Sequence, residues 1–91
     1  MKRIRRDRLK IYMDILLIIR NESRKGEIVP TRIQQKSNVP FDRFKIYLRE
    51  LKELDLIQDE STPKLTEKGL QCLIEYQTVL NFMKWMGLSF R

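Results

Sequence analysis

Apolar side chains recur every three or four positions in three segments of the chain, which is the spacing of a helix with one buried face. This pattern predicts helices over about residues 5–23, 40–54 and 66–88, and a capping signal predicts a shorter helix over residues 32–37. Two short apolar segments, residues 56–58 and 64–65, lie between the third and fourth helices and predict the strands of a small hairpin. The predicted fold class is therefore mainly α with a small β-hairpin.

Glycine, proline and capping residues mark the ends of these elements. Gly26 is predicted to cap the first helix, and a very short strand is possible at residues 28–29. Thr31 and Gln34 match a capping box, which predicts the start of the second helix. The sequence Asn-Val-Pro at residues 38–40 then separates the second helix from the third.

The second predicted helix is only two turns long, so it must be held by packing through Ile33. A short helix, a turn and a longer helix form a helix-turn-helix, and a hairpin directly after them makes a winged helix. In that arrangement the short helix braces the longer one, whose outward face can enter the major groove of DNA. We therefore divide the chain into a winged helix-turn-helix over residues 1–66 and a C-terminal helix over residues 67–91.

Charge is divided unevenly between the two halves of the chain. Residues 1–49 hold 14 Lys and Arg against 5 Asp and Glu, whereas residues 50–91 hold 5 against 7. With a net charge of +7, this segregation favours a polyanionic partner over simple solubility. Nucleic acid is the commonest such partner, and an anionic membrane surface is a less common one.

Other features argue against several classes of protein. The longest apolar run, residues 15–19, is far shorter than the ~20 residues of a membrane span, and no signal peptide is evident. The single cysteine, Cys72, allows no internal disulfide and no multi-cysteine zinc site. Without histidine, a nucleotide-binding glycine loop or paired carboxylates, we predict no enzyme activity, metal or cofactor. A cytoplasmic protein with no evident small-molecule ligand is expected.

Five short motifs together resemble one known family. The segments RRDRLKIYMDIL, PTRIQQKSN, FKIYLREL, LDLI and LTEKGL, between residues 5 and about 76, are similar to the archaeal small winged-helix proteins. That family includes DNA-binding chromatin and regulatory proteins that dimerise through a long final helix. The resemblance implies a winged helix-turn-helix, DNA as partner at the nucleoid, and a coiled-coil homodimer. Two departures, the acidic tip at Asp59 and Glu60 and the proline at Pro63, weaken the case for contact between the wing and DNA.

The outward face of the third helix holds the candidate reading residues. Arg43 and Arg49 can bind guanine bidentately or grip phosphates, and Lys45 suits a phosphate. Ile46 can meet a thymine methyl group, and Asp42 can accept a hydrogen bond from a cytosine amino group. Because this face is only mildly positive, we expect modest sequence preference and much of the affinity from the DNA backbone.

Further phosphate contacts are predicted around this helix. Those at the second helix are Thr31, Arg32, Gln35 and Lys36. Thr31 serves equally well as a cap alone. At the N-terminus, Arg5 and Arg6 either meet phosphates or remain solvated. The candidate wing contacts are Ser61, Thr62 and Lys64.

The last helix is too apolar to face water alone. Between residues 69 and 88 only Glu75 and Lys84 are charged. Part of the apolar surface follows the 3-4-3 spacing of a coiled-coil seam, which predicts a homodimer. The predicted interface residues are Leu73, Tyr76, Val79, Leu80, Phe82, Met83 and Met86. The alternatives are a helix that folds back into a monomer core and a helix that lies on a membrane surface.

These observations predict a dimeric, sequence-preferring DNA-binding protein that regulates transcription and reads the major groove with its third helix. The alternatives are an architectural DNA-binding protein of the nucleoid and a winged-helix module that binds another protein.

Overall fold

The four predicted helices are present in the computed structural model, which describes residues 8–88. They are α1 (Arg8–Arg24), α2 (Pro30–Ser37), α3 (Phe41–Glu53) and α4 (Glu67–Met86). The first predicted turn of α1 lies partly outside the described residues. The other ends agree with the sequence pattern to within about two residues, as expected where helix ends fray.

Side chains from all four helices share one hydrophobic core. α1 lies at its centre, because Ile15, Leu16 and Ile19 are completely buried. Burial of each such side chain stabilises the fold by about 1.5–3 kcal/mol. The other members of the core are Met13, Ile33, Val39, Phe44, Tyr47, Leu48, Leu51, Leu56, Ile57 and Leu73. The predicted buried stripes of α1 and α3 therefore face the same interior.

The short helix α2 is held by tertiary contacts, as its length requires. Ile33 is completely buried, and the side-chain amide of Gln34 donates a hydrogen bond to the carbonyl oxygen of Val39 at 2.5 Å. Asn38 ends the helix in the left-handed conformation with a φ of 57°. Asparagine tolerates that conformation better than most residues, which explains its place in the turn before α3.

The predicted capping box at the start of α2 is wrong. The helix begins one residue earlier, at Pro30, and the N-cap residue is Val29, which makes no side-chain cap. Proline has a fixed φ that suits the first helical position, so it starts the helix before Thr31. Thr31 is consequently exposed within the first turn. Gln34 does not cap the helix start, because its side chain binds Val39 in the turn that follows α2.

The predicted β-hairpin is not confirmed. Within residues 8–88 there is no strand, and residues 28–29 are extended without pairing. A single antiparallel bridge joins Ile57 to Leu65, extended by a 2.9 Å hydrogen bond from the Gln58 amide to the Lys64 carbonyl. Pro63 is buried beside this bridge, and its missing N–H limits the pairing. We call residues 56–65 the wing.

The base of the wing is fixed to the start of α4. The Thr66 amide donates to the Leu56 carbonyl at 3.1 Å, and the Thr66 hydroxyl accepts from the Gly69 amide at 2.9 Å as the helix cap. A Cβ atom at Gly69 would collide with the Leu56 carbonyl oxygen. Glycine is therefore required here by the close approach of α4 to the wing.

α4 runs antiparallel to α1. Lys10 and Lys84 line the same groove near the N-terminus of α1, whereas Arg24 and Glu67 line a cleft at its other end. α1 ends through Gly26, whose φ of 101° suits the predicted cap. Among residues 8–88, no helix combines the length and hydrophobicity needed to cross a membrane.

Candidate nucleic-acid interface

The outward face of α3 carries two arginines on either side of an isoleucine. Arg43, Ile46 and Arg49 are spaced three residues apart, so they form one row along the helix, and all three are exposed. Within the part of the chain that the structure describes, neither arginine side chain makes a hydrogen bond or an ion pair. Asp42 is exposed beside this row. Both guanidinium groups are therefore available to a partner.

Lys45 is placed by an aromatic ring at the start of α3. Its ammonium nitrogen lies 5.5 Å from the centre of the Phe41 ring, and Phe41 is 57% exposed. A cation over an aromatic face gains about 0.5–1 kcal/mol at an exposed site. Phe41 is a site residue that the sequence reasoning missed, although a phenylalanine four residues before a lysine at a helix start is a recognisable signal.

The four candidate residues of α2 divide between two faces. Thr31 and Gln35 are exposed on the face that points away from the core. Arg32 and Lys36 turn instead toward Glu22 of α1, at 3.4 Å and 2.8 Å between charged atoms. The structure therefore brings Arg32 and Lys36 together, but the anion that they bind is Glu22 of the same chain.

Glu22 is completely buried and binds three cations. Lys25 completes the cluster at 3.3 Å. The hydrogen bond from Lys36 outweighs the cost of burial and lowers the pKa of Glu22 from 4.5 to about 2. The same contact raises the pKa of Lys36. Since three positive groups surround one negative group, the cluster remains positive, and its cations remain about half exposed.

A second polar network connects α1 to α3. The Tyr12 hydroxyl donates to Glu50 at 2.5 Å, and Arg8 contacts the other oxygen of the same carboxylate at 3.3 Å. Burial, followed by the bond to Glu50, raises the pKa of Tyr12 to about 12. The Tyr12 ring also meets the Tyr47 ring edge-on at 6.0 Å. These contacts fix the rotation of α3 about its axis, and hence the direction of its exposed row.

The tip of the wing is organised around its own acid. Ser61 donates to Asp59 through its hydroxyl at 2.9 Å and through its amide at 3.4 Å. These bonds lower the pKa of Asp59. Thr62 and Lys64 are exposed. The wing therefore carries an ionised carboxylate at its tip. The other candidate residues, Arg5 and Arg6, lie outside the described residues.

A family model described as winged helix-turn-helix matches residues 5–84, which is most of the chain. The chain belongs to the winged helix-turn-helix family. Comparison with curated proteins and with solved structures gave no match. The resemblance to winged-helix proteins is thereby confirmed at the level of the family, and the resemblance to archaeal dimeric members stays a prediction.

Membership assigns roles to the elements of this winged helix-turn-helix. α2 and α3 are the two helices of the helix-turn-helix, with the turn at residues 38–40 between them. Such domains commonly bind DNA, so membership suggests DNA as the partner. Tyr12 and Glu50, which position α3, escaped the sequence reasoning because they lie 38 residues apart and meet only in the folded chain.

The C-terminal helix of this winged helix-turn-helix has two kinds of apolar surface. Leu73, assigned to the predicted interface, is only 3% exposed and belongs to the chain's own core. Tyr76, Leu80 and Met83 are half-buried and line a groove of about 230 Å³ against α1. These four residues thus face the chain itself.

The remaining predicted interface residues are exposed. Val79, Phe82 and Met86 are 51%, 58% and 54% exposed, and Trp85, which the interface prediction left out, is 83% exposed. The Phe82 and Trp85 rings stack with centres 6.2 Å apart. We call these four residues the terminal apolar face. A cluster of this kind on a small protein marks an interaction surface.

Proposed function

We propose that this chain is a homodimeric DNA-binding protein that regulates transcription and places α3 in the major groove. The observation that supports this most strongly is the row of Arg43, Ile46 and Arg49, whose arginines are unpaired within residues 8–88. Arg8, Lys10, Arg32 and Lys36 by contrast each pair with a carboxylate. The arginine side chains of α3 are therefore free to bind an external anion, as are those of Arg20 and Arg24 on α1.

Each member of the α3 face takes a separate role in this proposal. Arg43 and Arg49 bind guanine edges or phosphates, and Ile46 meets a thymine methyl group. Lys45, held over Phe41, contacts a phosphate. Asp42 accepts from a cytosine amino group or remains solvated. Three cations and one carboxylate on a single face give only modest sequence preference.

Backbone contacts from α2 supply the rest of the affinity. Thr31 and Gln35 point outward. Two half-exposed cations of the Glu22 cluster, Arg32 and Lys36, lie on the adjacent face of the same helix. Arg5 and Arg6 are proposed to add phosphate contacts at the N-terminus. If about five cations meet phosphates, log affinity falls against log salt with a slope of about −4 to −5.

Dimerisation is proposed to use the terminal apolar face. Residues 1–66 then form the DNA-binding part and residues 67–91 the dimerisation part, with Leu73 anchoring the second to the first. A two-fold dimer presents two copies of α3 and reads two half-sites related by the same symmetry. The protein acts at the nucleoid of the cytoplasm without a cofactor or catalytic activity.

Electrophoretic mobility shift at two salt concentrations tests this proposal. A mixed-sequence duplex should be bound at low salt and released steeply as salt rises, and a selected set of sequences should bind several-fold tighter than the mixture. Failure to shift any duplex at low salt contradicts DNA binding. In that case the acidic wing tip at Asp59 supports the alternative of a protein-binding winged helix.

The architectural alternative differs in sequence preference alone. The modest positive charge of the α3 face supports it, since binding through the backbone is tolerant of sequence. Genome-wide mapping of bound sites distinguishes the two roles: sparse sites fit a regulator, and continuous coverage fits an architectural protein.

A further inference from the structure

A positively charged concavity lies where α1, the wing and α4 meet. Arg20 and Arg24 of α1 line it on one side, and Lys64 of the wing lines it as well. Its volume is about 630 Å³, within the range of pockets that hold small molecules. No residue of α2 or α3 contributes to it. We call it the α1–wing cleft.

The cations of the cleft have no counter-ion among the described residues. Arg20 and Arg24 are one helical turn apart and therefore share one side of α1. Within residues 8–88, the side chains of these arginines and of Lys64 make no hydrogen bond or ion pair. One carboxylate, Glu67, also lines the cleft, so positive charge is in excess. This differs from the cluster around Glu22, which contains its own buried carboxylate.

The cleft also has an apolar wall. Ile28 and Leu65 are partly buried and pack against the core, and Leu70 is 40% exposed at the start of α4. An inorganic phosphate gains little from such a wall, and a neutral hydrocarbon gains little from three cations. The surface is complementary to a molecule that has both an anionic group and an apolar body.

We propose that the α1–wing cleft binds a small amphipathic organic anion, with its carboxylate or sulfonate at Arg20, Arg24 and Lys64. Its apolar body lies on Ile28, Leu65 and Leu70. The binding site is separate from the α3 face and does not depend on the proposed DNA contact. Because the ligand touches α1, the wing and the start of α4 together, binding stabilises the folded chain.

Decanoate, kept below its micellar concentration, is a direct probe, and backbone amide chemical shifts locate where it binds. The largest shifts should fall on Arg20, Arg24, Lys64 and Leu65, with a rise in Tm. 1-Decanol, which has the chain without the charge, should bind at least tenfold more weakly. Decyltrimethylammonium, which reverses the charge, should not shift these amides.

Paired variants separate the cleft from general charge. Arg20→Gln with Arg24→Gln should weaken decanoate binding at least tenfold, and Lys64→Gln should weaken it several-fold. Arg43→Gln with Arg49→Gln removes the same charge from α3 and should leave decanoate affinity unchanged. Tm measurements on all variants verify that each is folded.

Three results would overturn the proposal. Decanoate shifts confined to the terminal apolar face of α4 would place the ligand elsewhere. Equal binding of decanoate and decanol would remove the role of the cations. If the cleft pair weakened duplex binding as much as the α3 pair and left decanoate unaffected, the cleft would be a DNA contact instead.

Discussion

Glu22 and Lys36 form a 2.8 Å ion pair that joins α1 to α2, with the carboxylate completely buried and the ammonium about half exposed. The pair connects the central helix of the core to the brace of the helix-turn-helix. Since α2 is too short to be stable alone, this contact supplements the packing of Ile33. It also lowers the pKa of Glu22 to about 2, which makes the stability of the domain dependent on pH.

Stability should fall on acidification through Glu22. In the unfolded chain this carboxyl takes up its proton near pH 4.5, whereas in the folded chain it does so only near pH 2. Its contribution is therefore complete above pH 4.5 and is lost as the pH falls toward 2. Glu22→Gln should lower the stability at neutral pH and flatten the decline between pH 4.5 and 2, as measured by urea unfolding across that range.

The matched control for this prediction is Glu53→Gln. Glu53 is an exposed carboxylate at the end of α3, so its replacement should leave the acid profile close to that of the wild type. If Glu22→Gln and the wild type lost stability in parallel below pH 4.5, the ion pair would not be the origin of the acid sensitivity.

Gly69→Ala should strongly destabilise the domain. The added methyl group collides with the Leu56 carbonyl oxygen, which already accepts a hydrogen bond from Thr66. Because backbone atoms cannot move aside as a flexible side chain does, we expect a loss of about 3 kcal/mol in the free energy of unfolding. Gln71→Ala, at an exposed position of the same helix, should change it by less than about 0.5 kcal/mol. Equal stability of the two variants would contradict the close approach.

The sequence predicted α1 and α3 well because each has a strong apolar stripe, and both helices bury the residues that their stripes contain. It could not predict the burial of Glu22, since a glutamate is almost always exposed unless it is paired. Its partners Arg32 and Lys36 lie ten and fourteen residues away, and only the packing of α2 on α1 brings them together.

The sequence could not show which side of α4 meets the core, for a different reason. Apolar residues surround this helix, so spacing alone does not show which side meets the core and which is exposed. Leu73 and Val79 belong to the same predicted interface, yet one is 3% and the other 51% exposed. The wing was overestimated because its residues have strand-like composition, while Pro63 removes a hydrogen-bond donor from the pairing.

Tyr12→Phe should remove the contact between α1 and α3 without changing the packing of the ring. Loss of the hydroxyl's bond to Glu50 should cost about 1 kcal/mol.

In the wild type, stability should also decline as the pH rises from 10 toward 12, because the unfolded phenol ionises near 10 and the folded one near 12. The variant should lose that part of the decline and the last tyrosinate absorbance in an alkaline titration. If this absorbance persisted in Tyr12→Phe and disappeared in Tyr47→Phe, it would belong to Tyr47, and the prediction for Tyr12 would be wrong.

Arg43→Ala and Arg49→Ala should each weaken duplex binding by about 1–3 kcal/mol if the arginine binds a guanine edge. Both side chains are exposed and unpaired within the described residues, so the free energy of unfolding should change by less than about 0.5 kcal/mol. Fluorescence anisotropy with a labelled duplex measures the first quantity and urea unfolding the second. Arg24→Ala is the charge-matched control, distant from α3. Unchanged affinity in both α3 variants would show that another surface reads the DNA.

Phe82→Asp should shift the protein from dimer to monomer without unfolding it. Phe82 is 58% exposed, so a carboxylate there is tolerated by a single chain but is costly inside an apolar interface. Leu80→Asp is a poorer test, because Leu80 is half-buried against α1 and its replacement also disturbs the monomer. Leu70→Asp, 40% exposed and about 18 Å away along the same helix, is the matched control.

Sedimentation velocity measures the shift in mass. Trp85 gives an independent readout as the only tryptophan in the chain, since dilution of a dimer should move its fluorescence to longer wavelength. If the wild type sedimented as a monomer and its fluorescence did not depend on concentration, dimerisation through the terminal apolar face would be contradicted.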